Sequence, residues 1–208
     1  MTSHPIGLAH DALKRETAEL HEQVEARMDL PARLRSLDSY RDWLERLLGV
    51  TEPAEDLLGA QDWPEALSFA ARRRAHLLRA DLLALGRTSG VIDRLPRTDR
   101  MPAAASRPEA LGWLYVFEGQ TLGGRVILRQ AQLALGVDET RGASFLAGYG
   151  DRTGAMWRGF LQVLADEVRS PAEIDEATTG ARACFAEFER WLVTGAEAPE
   201  RSASRQVA

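Results

Sequence analysis

Apolar side chains recur at helical spacing along most of this chain, and that periodicity most constrains its fold. Steps of four, three, one, three and four separate the members of the first apolar stripe, which are Leu13, Thr17, Leu20, His21, Val24 and Met28. Such steps place side chains on one face of an α-helix. No segment alternates like a strand, since the apolar run at 126–128 is short and lies within a helical pattern. The sequence therefore predicts an all-α protein of six to eight helices.

Residues that cap or break helices set the predicted boundaries. Helix starts are indicated at Ser36 or Asp38, Pro64, Ser106 with Glu109, Asp151 or Thr153, and Ser170-Pro171. Helix ends are indicated at Pro31, Gly86 and Gly136. The predicted helices span about 8–28, 36–48, 52–58, 64–85, 106–135, 151–168 and 171–192, with a short helix and turn at 142–150 and a connection at 86–105. We expect one domain over 8–194, between an N-terminal tail at 1–7 and a disordered tail at 195–208.

Composition excludes several classes of protein. The chain has 208 residues, with 26 basic and 31 acidic side chains and a formal net charge of -5; a nucleic-acid binder would show a basic excess. No window has about 18 uninterrupted apolar residues, so no membrane span is predicted. The single cysteine, Cys184, and the absence of a secretory pattern at the start favour the reducing cytoplasm. The Arg72-Arg73-Arg74 run is interpreted as a solvated helix face.

His21 is the one histidine placed on the apolar stripe of the first helix. A histidine there is more often a packed core residue than a ligand, but Glu25 lies one turn later, where a carboxylate can orient an imidazole. Lys14, the only lysine, lies two turns earlier, about 10 Å along the axis. This spacing suits a large flat ligand held centrally by His21 and at its edge by Lys14. No such pattern surrounds His4, His10 or His76, of which His76 is expected at the surface or in packing.

Four glycines interrupt the helix predicted at 106–135, namely Gly112, Gly119, Gly123 and Gly124. Each interior glycine costs about 1 kcal/mol relative to alanine, so their number requires a reason. One reason is close approach between helices. The other is a backbone that lies directly against a flat ligand, or a helix that must bend. The glycines alone favour the first reason, and His21 shifts the balance toward the second.

The chain resembles the haem oxygenases, most closely the compact bacterial branch often associated with bacteriophytochromes. The resemblance extends from about residue 13 to 192 and is carried by two motifs, Lys14-x-x-Thr17-x-x-x-His21-x-x-x-Glu25 and, about 90 residues later, Glu118-Gly119-Gln120-Thr121-Leu122-Gly123-Gly124. It implies a single-domain helical bundle in which haem b lies between a proximal and a distal helix. The implied reaction uses O2 and electrons to convert haem, both substrate and prosthetic group, into biliverdin, CO and ferrous iron.

The same resemblance implies partners and site residues. The electrons would come from an external ferredoxin, flavodoxin or reductase, and a bacteriophytochrome is a possible recipient of the biliverdin. His21 would be the axial iron ligand, with Glu25 as its oriented partner and Lys14 as a contact to a haem propionate. Gly119, Gly123 and Gly124 would lie over the opposite ring face. The remaining matched positions are Thr17 in the first motif, Tyr115 as a propionate contact or core residue, Arg158 as a propionate contact, and Phe185 as an aromatic ring contact.

Two positions depart from the family pattern. Gln120 stands where many haem oxygenases have an Asp that holds a water network beside the bound oxygen, and Gln162 replaces a second basic propionate contact. A glutamine can hydrogen-bond water but supplies no carboxylate. We therefore expect Gln120 to be a distal polar residue of the reaction, with the oxygen-activating network and the biliverdin isomer left open.

Other functions remain to be separated from haem oxygenation. A haem-binding or haem-storage protein of the same fold would share His21 and the propionate contacts, and catalytic turnover distinguishes the two. A thiamin-degrading enzyme would need a nucleophilic cysteine near carboxylates, whereas Cys184 is expected to be a packing residue. A carboxylate-bridged di-iron protein is disfavoured because the chain has no Glu-x-x-His. A purely structural bundle is the remaining alternative.

Overall fold

The computed structural model describes residues 6–101 and 103–194, and within these ranges the fold is all-α, as predicted. The helices are α1 (Ile6–Met28), α2 (Leu30–Arg33), α3 (Leu37–Gly59), α4 (Ala75–Ala84), α5 (Ser89–Asp93), α6 (Arg107–Leu135), α7 (Ser144–Ala147), α8 (Thr153–Glu167) and α9 (Pro171–Glu189). Tight turns of 3-10 helix lie at Glu65–Leu67, Phe69–Arg72 and Gly150–Arg152, and a π-helical turn follows at Arg190–Thr194. The predicted tail at 195–208 lies outside the described residues. None of the described helices is both long and apolar enough to cross a membrane.

Three predicted N-caps are confirmed by side-chain hydrogen bonds. The hydroxyl oxygens of Ser36, Ser106 and Ser170 each accept a hydrogen bond from the backbone N–H three residues later. The segments predicted at 36–48 and 52–58 form one helix, α3, with Pro53 inside it. Proline normally breaks a helix. Here the buried face of α3 continues past it, so packing outweighs the lost backbone hydrogen bond.

The prediction of a helix over 64–85 is wrong for the first half of that segment. Ser68 adopts a positive φ of 50°, which an α-helix does not accommodate. The helix proper begins at Ala75, where the carboxylate of Glu55 accepts hydrogen bonds from the backbone N–H groups of Arg74 and Ala75. A partner 19 residues away in sequence thus determines the start of α4, and no local pattern encodes it.

The interpretation of the arginine run as a solvated helix face is also wrong. Arg72 and Arg74 are only 6% and 3% exposed, and Arg73 alone of the three is exposed. A guanidinium nitrogen of Arg72 donates to the Glu118 carboxylate at 2.6 Å, and one of Arg74 donates to the Phe117 carbonyl at 2.7 Å. Both cations therefore anchor the middle of α6 from inside the protein.

Two further predictions, both about the ends of helices, also differ from the structure. Pro31 does not end the helical region but lies in the first turn of α2, which begins after Asp29 in a left-handed conformation with φ 47°. The predicted caps Asp151 and Thr153 do not cap α8, because a 3-10 turn leads directly into that helix and no side-chain cap is formed. The predicted connection at 86–105 contains the short helix α5.

Close approach between α6 and α9 positions the walls of the site. A Cβ atom on Gly112 would lie 1.8 Å from the carbonyl oxygen of Ala177, and one on Gly180 would lie 2.1 Å from that of Glu109. Only glycine permits such contact, so helix–helix approach explains Gly112. Both α1 and α6 pack on α9, and the space left between α1 and α6 is the cavity described next.

Candidate active site

A cavity of about 690 Å³ lies between α1 and α6, within the range of about 300–1,000 Å³ typical of sites for small molecules and cofactors. Residues of α3, α8 and α9 complete its wall. The predicted site residues that line it are Lys14, Thr17, His21, Glu25, Tyr115, Gly119, Gln120, Gly123, Gly124 and Phe185. Arg158 is the exception, since it is exposed on α8 and does not line the cavity.

His21 and Glu25 occupy the α1 wall. The imidazole Nδ1 lies 3.7 Å from a Glu25 carboxylate oxygen, and the two side chains are 59% and 65% exposed. This distance exceeds that of a direct hydrogen bond but leaves room for a bridging water. A carboxylate near Nδ1 favours the tautomer that leaves Nε2 free to bind a metal. Phe185 on α9 meets the imidazole edge-on, with ring centroids 6.0 Å apart, and restricts its rotation.

The opposite wall is formed by glycine backbone. A Cβ atom added to Gly119 or Gly123 would meet no other atom within 4 Å, because both residues face the cavity. Gly124 also borders the cavity, but a Cβ there would lie 2.7 Å from the carbonyl oxygen of Leu146 in α7. The two explanations for the glycines therefore hold at different positions: Gly112 and Gly124 permit close packing, whereas Gly119 and Gly123 leave space open.

Two polar side chains, those of Gln120 and Arg74, are also among the residues that line the cavity. The side-chain oxygen Oε1 of Gln120 is buried and has no hydrogen-bond partner among the described residues. The guanidinium of Arg74 lies over the ring of Phe145, 4.8 Å from its centroid. Sequence reasoning missed Arg74, because an arginine within a basic run gives no local signal of burial.

Glu118 holds the glycine wall in position. Its carboxylate accepts hydrogen bonds from Arg72 at 2.6 Å and from the Tyr149 hydroxyl at 2.7 Å, and the residue is 1% exposed. Burial raises the pKa of the Glu118 carboxyl, and the cation of Arg72 opposes that rise. The residue directly before Gly119 is thus fixed by two side chains from different parts of the chain.

One end of the cavity is polar and aromatic. His10 lies there with its ring centroid 6.2 Å from that of Tyr115 and 5.8 Å from that of Trp157, and Lys14 follows one turn later on α1. Burial raises the pKa of Tyr115, so its phenol stays protonated at neutral pH. The far end of the cavity is apolar and is lined by Met28, Trp43, Leu47, Ile127 and Leu192. Sequence reasoning assigned no role to His10, whose partners come from α6 and α8.

The family model described as Heme oxygenase matches residues 8–194. The chain belongs to the heme oxygenase family. A heme oxygenase of Xanthomonas campestris pv. campestris (strain 8004) is 34% identical over 165 residues, which cover 76% of this chain and 92% of that protein. Heme oxygenase PigA of Pseudomonas aeruginosa is 35% identical over 120 residues, 58% of each chain.

The fold agrees with this haem oxygenase assignment. The solved structure of the NO- and CO-bound heme oxygenase from Neisseria meningitidis matches with a TM-score of 0.75 and 25% identity, and the match covers 93% of this chain and 97% of that one. The protein is thus a haem oxygenase, an oxidoreductase that converts haem to biliverdin, CO and ferrous iron with O2 and reducing equivalents. Haem is both its substrate and its prosthetic group.

The cavity of this haem oxygenase fits haem by its own chemistry. It offers an imidazole, a side-chain type that can ligate iron, on one wall and an open glycine backbone on the other. Its polar end suits carboxylates, and its apolar end suits the vinyl-bearing edge of a porphyrin. Cys184, the nucleophile that a thiamin-degrading enzyme would require, is fully buried, and burial raises the pKa of its thiol well above the usual value. It is a packing residue.

Proposed function

We propose that one haem binds in the cavity between α1 and α6 with His21 as its axial iron ligand and the Gly119–Gly123 face of α6 over the opposite side of the ring. The most direct support is that the exposed imidazole of His21 lines the same cavity as Gly119 and Gly123. A Cβ atom added at either glycine would meet no other atom within 4 Å. A flat ligand that contains a metal and needs free space on one face would use both features.

The proximal residues act as a unit in this proposal. Glu25 holds the Nδ1 side of His21, directly or through a water, so that Nε2 remains the ligand atom. Phe185 packs against the imidazole edge and, by the resemblance, against the porphyrin. His21 would hold the haem iron from the α1 wall, and the haem would supply the chemistry with O2.

Haem supplies the redox chemistry, and the protein supplies position and hydrogen bonds. Gly119 and Gly123 keep side chains out of the space where O2 must enter. The side chains of Gln120 and Arg74 line the same cavity, and the buried Oε1 of Gln120 has no partner among the described residues. We propose that this amide and this guanidinium take the place of the distal carboxylate of many relatives, by hydrogen-bonding to water in the occupied site.

The orientation of the porphyrin ring in the cavity determines which of its edge carbons faces the open space beside Gly119 and Gly123. We propose that Lys14 and Tyr115, supported by Thr17, bind the propionates at the polar end of the cavity. Thr17 is 2% exposed, and its hydroxyl donates to the Leu13 carbonyl at 2.7 Å, so its side chain is held within the turn that carries Lys14. Arg158 remains a proposed propionate contact; it follows the cavity-lining Trp157 in sequence and is exposed.

The reaction also requires partners. Haem, O2 and a reductant follow from the family, and we propose a ferredoxin, a flavodoxin or a flavin reductase as the electron donor. Delivery of biliverdin to a bacteriophytochrome and a cytoplasmic location are further proposals, which rest on the sequence resemblance and composition.

Haem titration followed by turnover tests the proposed function. We expect one haem per chain with a Soret band typical of imidazole ligation. On addition of ascorbate or a ferredoxin-based reducing system in air, that band should disappear while the biliverdin absorption grows. A haem complex that is reduced but yields no bile pigment under the same conditions would instead identify a haem-storage protein.

A further inference from the structure

We propose that His10 is a further substrate-positioning residue, which donates a hydrogen bond to one haem propionate and so helps fix the rotation of the ring. This inference rests on the proposed function, because it concerns the same cavity. It adds a residue outside both motifs that carry the resemblance.

The position of His10 suits contact with a propionate. It lies on the cavity-facing side of α1, one turn before Lys14, so the two side chains are about 6 Å apart along the axis. Within the described part of the chain, neither side chain has a hydrogen-bond or ion-pair partner. Two unpaired donors therefore border the same end of the cavity, and a haem carries its two propionates on one edge.

Two aromatic rings hold the His10 imidazole in place. Its ring stands nearly perpendicular to Trp157, at 76°, and is tilted by 59° against Tyr115. Contacts with α8 and α6 thus fix a half-buried ring, which costs less entropy on binding than a mobile side chain. An imidazole N–H is a donor in both the neutral and the protonated form.

Charged side chains are unevenly distributed around the cavity. The carboxylates on its wall belong to Glu22 and Glu25, and Glu22 is 12 residues, or about 18 Å, further along α1. The His10 end instead presents Lys14 and the Tyr115 phenol. Propionates at this end meet donors, whereas at the other end they would meet Glu22, Glu25 and an apolar wall. The polarity of the cavity therefore directs the carboxylate edge of haem toward His10.

The test compares haem with haem dimethyl ester, in which both carboxylates are blocked. His10→Phe keeps an aromatic ring against Tyr115 and Trp157 but removes the donor, whereas His10→Gln retains an N–H. His76→Phe is the matched control, because His76 is exposed on α4 and does not line the cavity. His10→Leu serves as the donor-free variant if His10→Phe lacks the wild-type circular dichroism spectrum.

We expect the wild type to bind haem more tightly than the diester. In the donor-free His10 variant, the ratio of haem affinity to diester affinity should fall by up to about tenfold, as expected for the loss of one hydrogen bond to a charged group. The affinity for the diester itself should not change. His10→Gln should recover part of the loss, and His76→Phe should match the wild type. Proton NMR of the ferric cyanide complexes should show an added or altered set of haem methyl signals in the donor-free variant.

The outcomes separate this inference from the proposed function. If the wild type binds no stoichiometric haem, the proposed function itself fails. If the wild type distinguishes haem from its diester, and the donor-free variant does so equally with unchanged methyl signals, then the assignment of His10 alone is overturned.

Discussion

Gly123 and Gly124 are neighbours in sequence, yet a Cβ atom on Gly123 would meet nothing within 4 Å, whereas one on Gly124 would lie 2.7 Å from the Leu146 carbonyl oxygen. Adjacent residues of one helix thus serve different purposes. Gly123 leaves the ligand space open, and Gly124 lets α7 approach α6. A substitution at Gly123 should therefore impair the chemistry, whereas one at Gly124 should lower the stability of the fold.

Gly123→Leu should keep the fold and lose the chemistry. Replacing an interior helical glycine gains up to about 1 kcal/mol in helix propensity, and no neighbouring atom within 4 Å opposes the new Cβ. The leucine would fill the distal space, so biliverdin formation should stop or its isomer should change. Thermal unfolding and product isomer are measured on the same protein. A normal rate with the normal isomer would contradict the assignment of this face.

Gly124→Ala should show the opposite result. Its Cβ would press on backbone rather than on a flexible side chain, and overpacking of this kind costs typically 1–3 kcal/mol. We expect a lower free energy of unfolding and ordinary turnover per folded molecule. Gly119→Ala is the matched control, since its Cβ meets nothing within 4 Å, and it should unfold at or above the wild-type temperature. Equal stability of the two variants would count against the packing role of Gly124.

Local signals account for the parts of this fold that could be predicted. The capping serine and the early proline of α6, together with its apolar periodicity, are encoded within the helix itself. The start of α4 could not be predicted in this way, because it depends on Glu55, which lies in a different helix and caps Arg74 and Ala75. The first turns of the predicted helix are replaced by a left-handed Ser68 and buried arginines.

The candidate site, like the fold, could be predicted only in part from local sequence signals. His21 and Glu25 could be paired from their spacing on one helix, and the glycine helix was recognisable as unusual. His10 and Arg74 were missed because their partners, Trp157 and Phe145 among them, lie on other elements. Cavity contacts of this kind arise only when α1, α6 and α8 come together, and no periodicity in the sequence records them.

His21→Ala should remove the axial ligand and nearly abolish turnover. The other residues that line the cavity remain, so weak haem uptake with an altered Soret band is expected, and the ferrous–CO spectrum should shift as well. His76→Ala, an exposed histidine outside the cavity, is the control and should behave like the wild type. Wild-type Soret and ferrous–CO spectra in the His21 variant would show that another group binds the iron.

Glu118→Gln should destabilise the protein strongly. The Arg72–Glu118 pair is 3% and 2% exposed, and removal of one partner leaves a buried charge uncompensated, at a cost of about 3–5 kcal/mol. Glu167→Gln breaks the partly exposed pair with Arg107 and should cost less than about 1 kcal/mol. Urea unfolding of both variants gives the comparison. Similar losses in the two would mean that Glu118 does not anchor the glycine wall electrostatically.

Gln120→Leu should separate stability from chemistry at the distal wall. The buried Oε1 of Gln120 has no partner among the described residues, and an unsatisfied buried polar atom costs about 1–3 kcal/mol. Leucine removes that cost, so the haem-free variant should be at least as stable as the wild type. The same change removes an amide from the wall of the cavity, so biliverdin formation should slow. Gln120→Asn, which keeps an amide, should retain more of the activity than the leucine variant. A leucine variant that is less stable yet fully active would show that the amide serves packing alone.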